Sequence, residues 1–317
     1  MAKALLDSPA SSRTVPLDTV AAWFGKWLHS PPFDIGSTTG AALSAARGNP
    51  VVEGMAARMQ AAAAQHNQNS LSNGCLLRLT PLAIWSSRQP TDVVAANAAA
   101  ETSLTHPQQT AQVASAAYCI VIAHLINHSK DAQGAIAAAN TWLQNGLAAA
   151  LQQVTPPGGT HSSTSGGSAS SAQPGSQASC EHDVSADSAA DVKPKAAAAW
   201  EAVLSWLGEA QQDGPGPEVY RAAGFMKWGF VHAFRALALT LPFEEALRQL
   251  HGGDKNTNAV IVGGLLGAYW GAEGISATLT GPVLCRCSSS VGIKRPEFLQ
   301  TGQLPELFEK LWAAASS

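Results

Sequence analysis

The sequence predicts an all-α helical bundle, and three observations carry that prediction. Alanine is abundant and strong helix formers dominate most segments. Valine, isoleucine, tyrosine and phenylalanine never gather into alternating runs, which argues against a large sheet. Apolar residues make up 46% of the 317 positions against 13% charged, enough to build a large core.

Helical punctuation runs along the chain. Pro16-Leu17-Asp18 opens a helix with Val20, Trp23, Phe24, Trp27 and Leu28 on one face. A second helix is predicted over 50–65. A long apolar helix comes after Pro107 and carries Val113, Tyr118, Ile120, Val121, Ile122, Leu125 and Ile126. Another spans 133–153. The next stretch, 155–195, is rich in Ser, Gly and Pro and poor in anything that can be buried, so it predicts a disordered low-complexity insertion. Helices over 196–211, 219–239, 243–250, 258–270 and 304–314 complete the reading. Residues 1–154 and 196–317 are thus expected to form one helical domain. Tryptophans at helical spacing read as core.

Charge and termini exclude several classes. Net charge is −3 and no basic cluster occurs, which removes the electrostatic footprint of a nucleic-acid binder. No apolar run is read as approaching the roughly 20 residues of a membrane span. Asp7 interrupts the N-terminus too early for a signal peptide, so a cytoplasmic location is expected. Cys75, Cys119, Cys180, Cys285 and Cys287 lack zinc-like spacing and read as idle thiols. His161, Cys180 and His182 fall in the insertion and read as bystanders.

Four segments could carry chemistry. His251-Gly252-Gly253-Asp254-Lys255-Asn256-Thr257-Asn258 presents Asp254, Asn256 and Thr257 at a helix start. Those oxygens suit a hard cation such as Mg²⁺ or Mn²⁺, and equally suit a helix N-cap. Gly263, Gly264, Gly267 and Gly271 come next, each costing up to about 1 kcal/mol in a helix interior, which implies close approach by another helix or a ligand. Asn69-Ser70-Leu71-Ser72-Asn73-Gly74 is a polar turn before an apolar helix; its backbone N–H groups could cradle phosphate, or it is an ordinary turn. Pro32-Phe33-Asp34-Ile35-Gly36-Ser37-Thr38-Thr39 is a capped helix start, and Thr105-His106-Pro107 places a histidine before a helix, where a cap or a surface residue is the commoner role.

In this order the segments resemble the ADP-ribosylglycohydrolase family, also called the dinitrogenase-reductase-activating glycohydrolase family. PFDIGSTTGAAL, SNGCLLRLTPLAIW, LTHPQQTA and GGDKNTNAVIVGGLLGAYWG parallel its PFDIGNTT, GNGSLMR, THP and GGDTDTNAA segments. The resemblance implies an orthogonal all-α fold with a binuclear metal centre, usually Mg²⁺. The implied reaction is hydrolysis of the glycosidic bond joining ADP-ribose to a protein side chain or small compound. It places Asp254, Asn256 and Thr257 at metal-ligand positions of D-x-D-T. Asn69, Ser70, Leu71, Asn73 and Gly74 fall in the loop around the pyrophosphate and distal ribose, His106 at a pocket histidine, and Gly36, Ser37 and Thr38 beside the cleft.

The sequence departs from the family pattern in two places. The family's early S-x-D-D-T metal motif has no counterpart, since Met1-Ala2-Lys3-Ala4-Leu5-Leu6 resembles the family's MALAL segment, which lies directly after that motif. The sequence is therefore expected to be truncated, by a gene-model error or in nature. Asn256 replaces the second Asp of D-x-D-T. Two dications about 3.5–4 Å apart bring four positive charges, and Asp254 alone among these positions is anionic. Impaired hydrolysis is therefore expected. The alternative is a metal-deficient pseudoenzyme that binds ADP-ribose or an ADP-ribosylated protein, a reading that Lys255 and Asn256 favour.

Overall fold

The computed structural model describes residues 1–7, 13–30, 32–47, 52–152, 188–214, 216–219, 221–286 and 296–315. Among them are fourteen α-helices and no sheet. The first four are α1 (Ala2–Leu6), α2 (Leu17–Leu28), α3 (Ser37–Leu43) and α4 (Met55–His66). Then come α5 (Thr80–Trp85), α6 (Thr91–Ser103), α7 (Gln109–Asn127) and α8 (Ala132–Gln152). The second half holds α9 (Ser188–Ala210), α10 (Met226–Ala238), α11 (Phe243–Arg248), α12 (Lys255–Trp270), α13 (Ala277–Arg286) and α14 (Leu304–Ala315). The all-α prediction holds.

The bundle is organised around α7, which packs against α5, α6, α8, α9 and α12. It is long and apolar enough to cross a membrane by length and composition, contrary to the sequence reading, yet 78% of its apolar window is buried inside the protein. A helix apolar on every side is what a central position requires. Tyr118 is fully buried on it and donates its hydroxyl to the Ile261 carbonyl of α12 at 2.8 Å. A Cβ at Gly264 would lie 2.7 Å from that hydroxyl, so this glycine permits the helix contact. Gly229 does the same for Ile261 between α10 and α12. The chain ends also meet, with α14 against α1 and α5.

Several boundaries move, each for a tertiary reason. The helix expected from residue 50 begins at Met55, after Gly54 in a left-handed conformation (φ 68°). Its N-terminus is capped from another element: Asp18 of α2 accepts from Gly54 N at 3.1 Å and Ala56 N at 2.8 Å. The helix expected from 219 begins at Met226, because Val219 and residues 223–225 pair with two distant turns. α12 starts at Lys255 rather than 258. α9 begins at Ser188, so 188–195, read as the end of the insertion, is helical backbone continuous with the alanine-rich run beyond it. Residues 153–187, and with them most of the insertion and His161, Cys180 and His182, lie outside the described residues, as does Cys287. Cys75 and Cys119 are buried free thiols, and burial pushes Cys75 up to about 11.

Candidate functional site

Three segments far apart in sequence meet at the start of α12. The first is the turn at 67–74. The second is a strap made of Val219 and residues 221–225, which the sequence reading took for helix. The third is the double-glycine turn at 251–254. Leu71 O accepts from Met226 N at 2.8 Å, and Asn73 N donates to Gly224 O at 2.8 Å. On the strap's other edge, Asp254 N donates to Ala223 O at 3.2 Å, and Val219 pairs with Gly252. The glycines are required here. Gly252 and Gly253 adopt φ 72° and 63°, and a Cβ on Gly252 would lie 2.1 Å from Val219 O.

Asp254 is the N-cap of α12. Its Oδ1 accepts from Thr257 N at 3.3 Å, and its Oδ2 accepts from the Asn73 amide at 3.1 Å. The same Asn73 amide donates to Asn258 Oδ1 at 3.2 Å. Asn73 and Asn258 are 5% and 2% exposed, so this link is inside the protein. The cap reading of the motif is met at this carboxylate, which also faces the polar turn.

The remaining candidates gather around the same turn. Thr38 Oγ1 and Ser70 Oγ are 2.8 Å apart. Asn67 donates to Thr38 O at 2.8 Å and to Thr105 O at 2.9 Å, bracing α3 and the histidine segment together. His106 is wholly buried, neither a cap nor a surface residue. Its Nε2 lies 2.8 Å from Ser72 Oγ and its Nδ1 2.7 Å from Thr105 Oγ1. Arg78 Nη2 donates to Thr105 Oγ1 at 2.9 Å, which leaves that hydroxyl to donate to Nδ1 and puts the ring proton on Nε2, toward Ser72. Arg78 is itself held by the buried Glu101 at 2.7 Å. Burial, and then the Arg78 charge, push His106 down to about 3, so it is a neutral positioning group.

Gly36, Ser37 and Asn69 are exposed at the rim. Gly74 is kept small by Thr39 Oγ1, 3.3 Å from the place of a Cβ. Of the turn's N–H groups, those of Ser70 and Asn73 already bond Asn67 O and Gly224 O, so fewer of them are open than the sequence predicts. Among the described residues, Ser72 and Gly74 N–H have no protein acceptor. Sequence reasoning quoted Thr105, Arg78 and Asn258 within their segments without giving them a role, and missed Asn67, Glu101 and the whole strap. The signal available was faint, a polar residue or charge inside otherwise apolar stretches.

The donor set does not fit a pair of divalent ions. Asp254 supplies one carboxylate, Asn256 is an exposed neutral amide, and Thr257 offers a hydroxyl. Among the described residues, no three His, Cys, Asp or Glu side chains are grouped to hold a metal. Four positive charges against one anion is an unfavourable balance, and the Asn73 amide already occupies one oxygen.

Compared with known proteins, the chain matches the model of the family described as ADP-ribosylglycohydrolase over residues 1–312. No curated protein matches it.

Proposed function

Because the chain belongs to the ADP-ribosylglycohydrolase family, we propose that it recognises the ADP-ribosyl group at the junction of the 67–74 turn, the strap and the α12 start. We further propose that hydrolysis of the glycosidic bond by this chain is impaired. Family members act on ADP-ribosylated substrates and are generally metal-dependent. The observation that carries the reading is Asp254, whose two oxygens accept from Asn73 and Thr257 and which belongs to no group of three His, Cys, Asp or Glu side chains among the described residues. Such a site can place backbone and side-chain donors on a diphosphate, since N–H groups at a turn and a helix start attract anions. Ser72 N–H and Gly74 N–H are the available donors, and Lys255 is exposed on the first turn of α12.

Positioning then falls to side chains held by partners of their own. Ser72 is held by His106, Ser70 by Thr38, and Asn73 by the backbone of Gly224. Preorganised donors lose little freedom on binding, which favours recognition.

Calorimetric titration of the full chain with ADP-ribose, with and without Mg²⁺, tests this directly. Saturable binding that Mg²⁺ changes by less than about threefold is expected, since loss of even indirect ligand support typically lowers metal affinity about 10- to 100-fold. ADP-ribose release from arginine- or serine-modified protein is expected to stay at background. Mg²⁺-dependent release would overturn the impairment, and absence of binding in both titrations would overturn recognition.

A further inference from the structure

The end of α12 opposite Asp254 borders an open cleft of about 610 Å³. At 1.5 Å of rise per residue it lies about 24 Å along the helix from the candidate site. Its electrostatics arise from how two helices end. Tyr118 of α7 meets Ile261 and Gly264 of α12. The later residues Leu125 and Ile126 share the cleft with 267–270. The two helices therefore run the same way, and both C-termini close on one space. Each C-terminus carries about half a negative charge, with its last carbonyls free of helical partners.

A carboxylate adds to this rather than relieving it. Glu273 Oε2 lies 3.1 Å from where a Cβ would sit on Gly271, the left-handed residue that ends α12. Among the described residues Glu273 makes no ion pair. An acidic group at a helix C-terminus is repelled by it, so the cleft calls for a cation. It also has an aromatic floor. Trp270 is oriented by its Nε1–H bond to Leu241 O at 2.9 Å and by Tyr269 packed edge-on at 4.8 Å. Lys130 already holds its ammonium 5.4 Å from the Trp270 ring centre, from an exposed backbone at φ 60°. At Gly267 a Cβ would meet nothing within 4 Å, so the floor is open beside the ring.

We propose that this cleft binds a small organic cation of the guanidinium class, stacked on Trp270, with Glu273 and the helix-end carbonyls accepting its N–H donors and Lys130 displaced. Guanidinium fits better than a quaternary ammonium because the walls offer acceptors that need N–H groups and the floor is planar. The inference goes beyond the ADP-ribosyl reading and does not depend on it.

The test is calorimetric titration of the full chain with ethylguanidinium, with ethylurea as its neutral counterpart and tetramethylammonium as a cation lacking N–H groups. Ethylguanidinium should saturate, and ethylurea should bind at least about 10-fold more weakly, because both cation–π attraction and charge-assisted hydrogen bonds are lost. Lys130→Gly removes the resident cation at a backbone angle glycine accepts, and should tighten binding about threefold. Glu273→Gln should weaken it about three- to tenfold. Both positions are exposed, so folding is retained. No saturation, equal binding of ethylurea or tetramethylammonium, or weaker binding by Lys130→Gly would each overturn the proposal.

Discussion

His106 shows how much a single buried ring can organise. It links the Glu101–Arg78 pair, through Thr105, to Ser72 at the turn, and its burial keeps it neutral. Its value falls from an ordinary 6.5 to about 3, so between those limits the unfolded chain binds a proton that the folded chain does not. Stability is therefore complete above about pH 6.5 and declines as pH falls, by up to about 1.4 kcal/mol per pH unit for this group. His232, pushed down to about 4 by burial and then by His251 and Arg235, adds a slope of the same sign. Urea unfolding of His106→Gln from pH 7 to 4 should show lower stability at pH 7 and a shallower acid slope than the parent. An unchanged slope would show that the ring does not titrate this way.

At the scale of elements, the decisive feature is the strap, a non-helical segment with a turn at 223–224 where helical residues are abundant. Val219 and residues 223–225 forgo helix, their backbone groups bonding Asn73, His251 and Asp254, while Leu71 accepts from Met226 where α10 begins. Gly252→Ala should therefore cost about 1–3 kcal/mol, from a strained positive φ and a clash with Val219 O, and should weaken ADP-ribose binding as the strap shifts. Thermal unfolding and titration measure the two effects; a stable variant with parental affinity would refute the requirement. Asp18 is a second case of cross-element control. As the cap of α4 it accepts two backbone N–H groups, and Asp18→Ala should lose about 0.5–2 kcal/mol in chemical denaturation. A surface carboxylate of α2 without that role would change almost nothing.

At the scale of the whole molecule, the candidate site is assembled from both halves of the chain and is stable only if the bundle is. A ligand that binds the folded state raises the melting temperature by mass action. ADP-ribose at about 100 times its dissociation constant should add about 2.7 kcal/mol, visible as a rise of several degrees, whereas Mg²⁺ alone should leave the melting temperature unchanged within about 1 °C. A large shift with Mg²⁺ alone would contradict the anion count. The all-α class, the central apolar helix after Pro107, the turn with Asn73 and Gly74, and Asp254 at a helix start were all legible in composition, periodicity and local turn chemistry. The strap, the cap of α4 by Asp18, the buried state of His106 and the bond from Asn73 to Asp254 were not. Local sequence determined which segments coil and where they can turn, because propensity and capping act over a few residues. Which carboxylate faces which amide was decided by tertiary structure, because partners 181 positions apart are chosen by packing and by the need to satisfy buried polar groups.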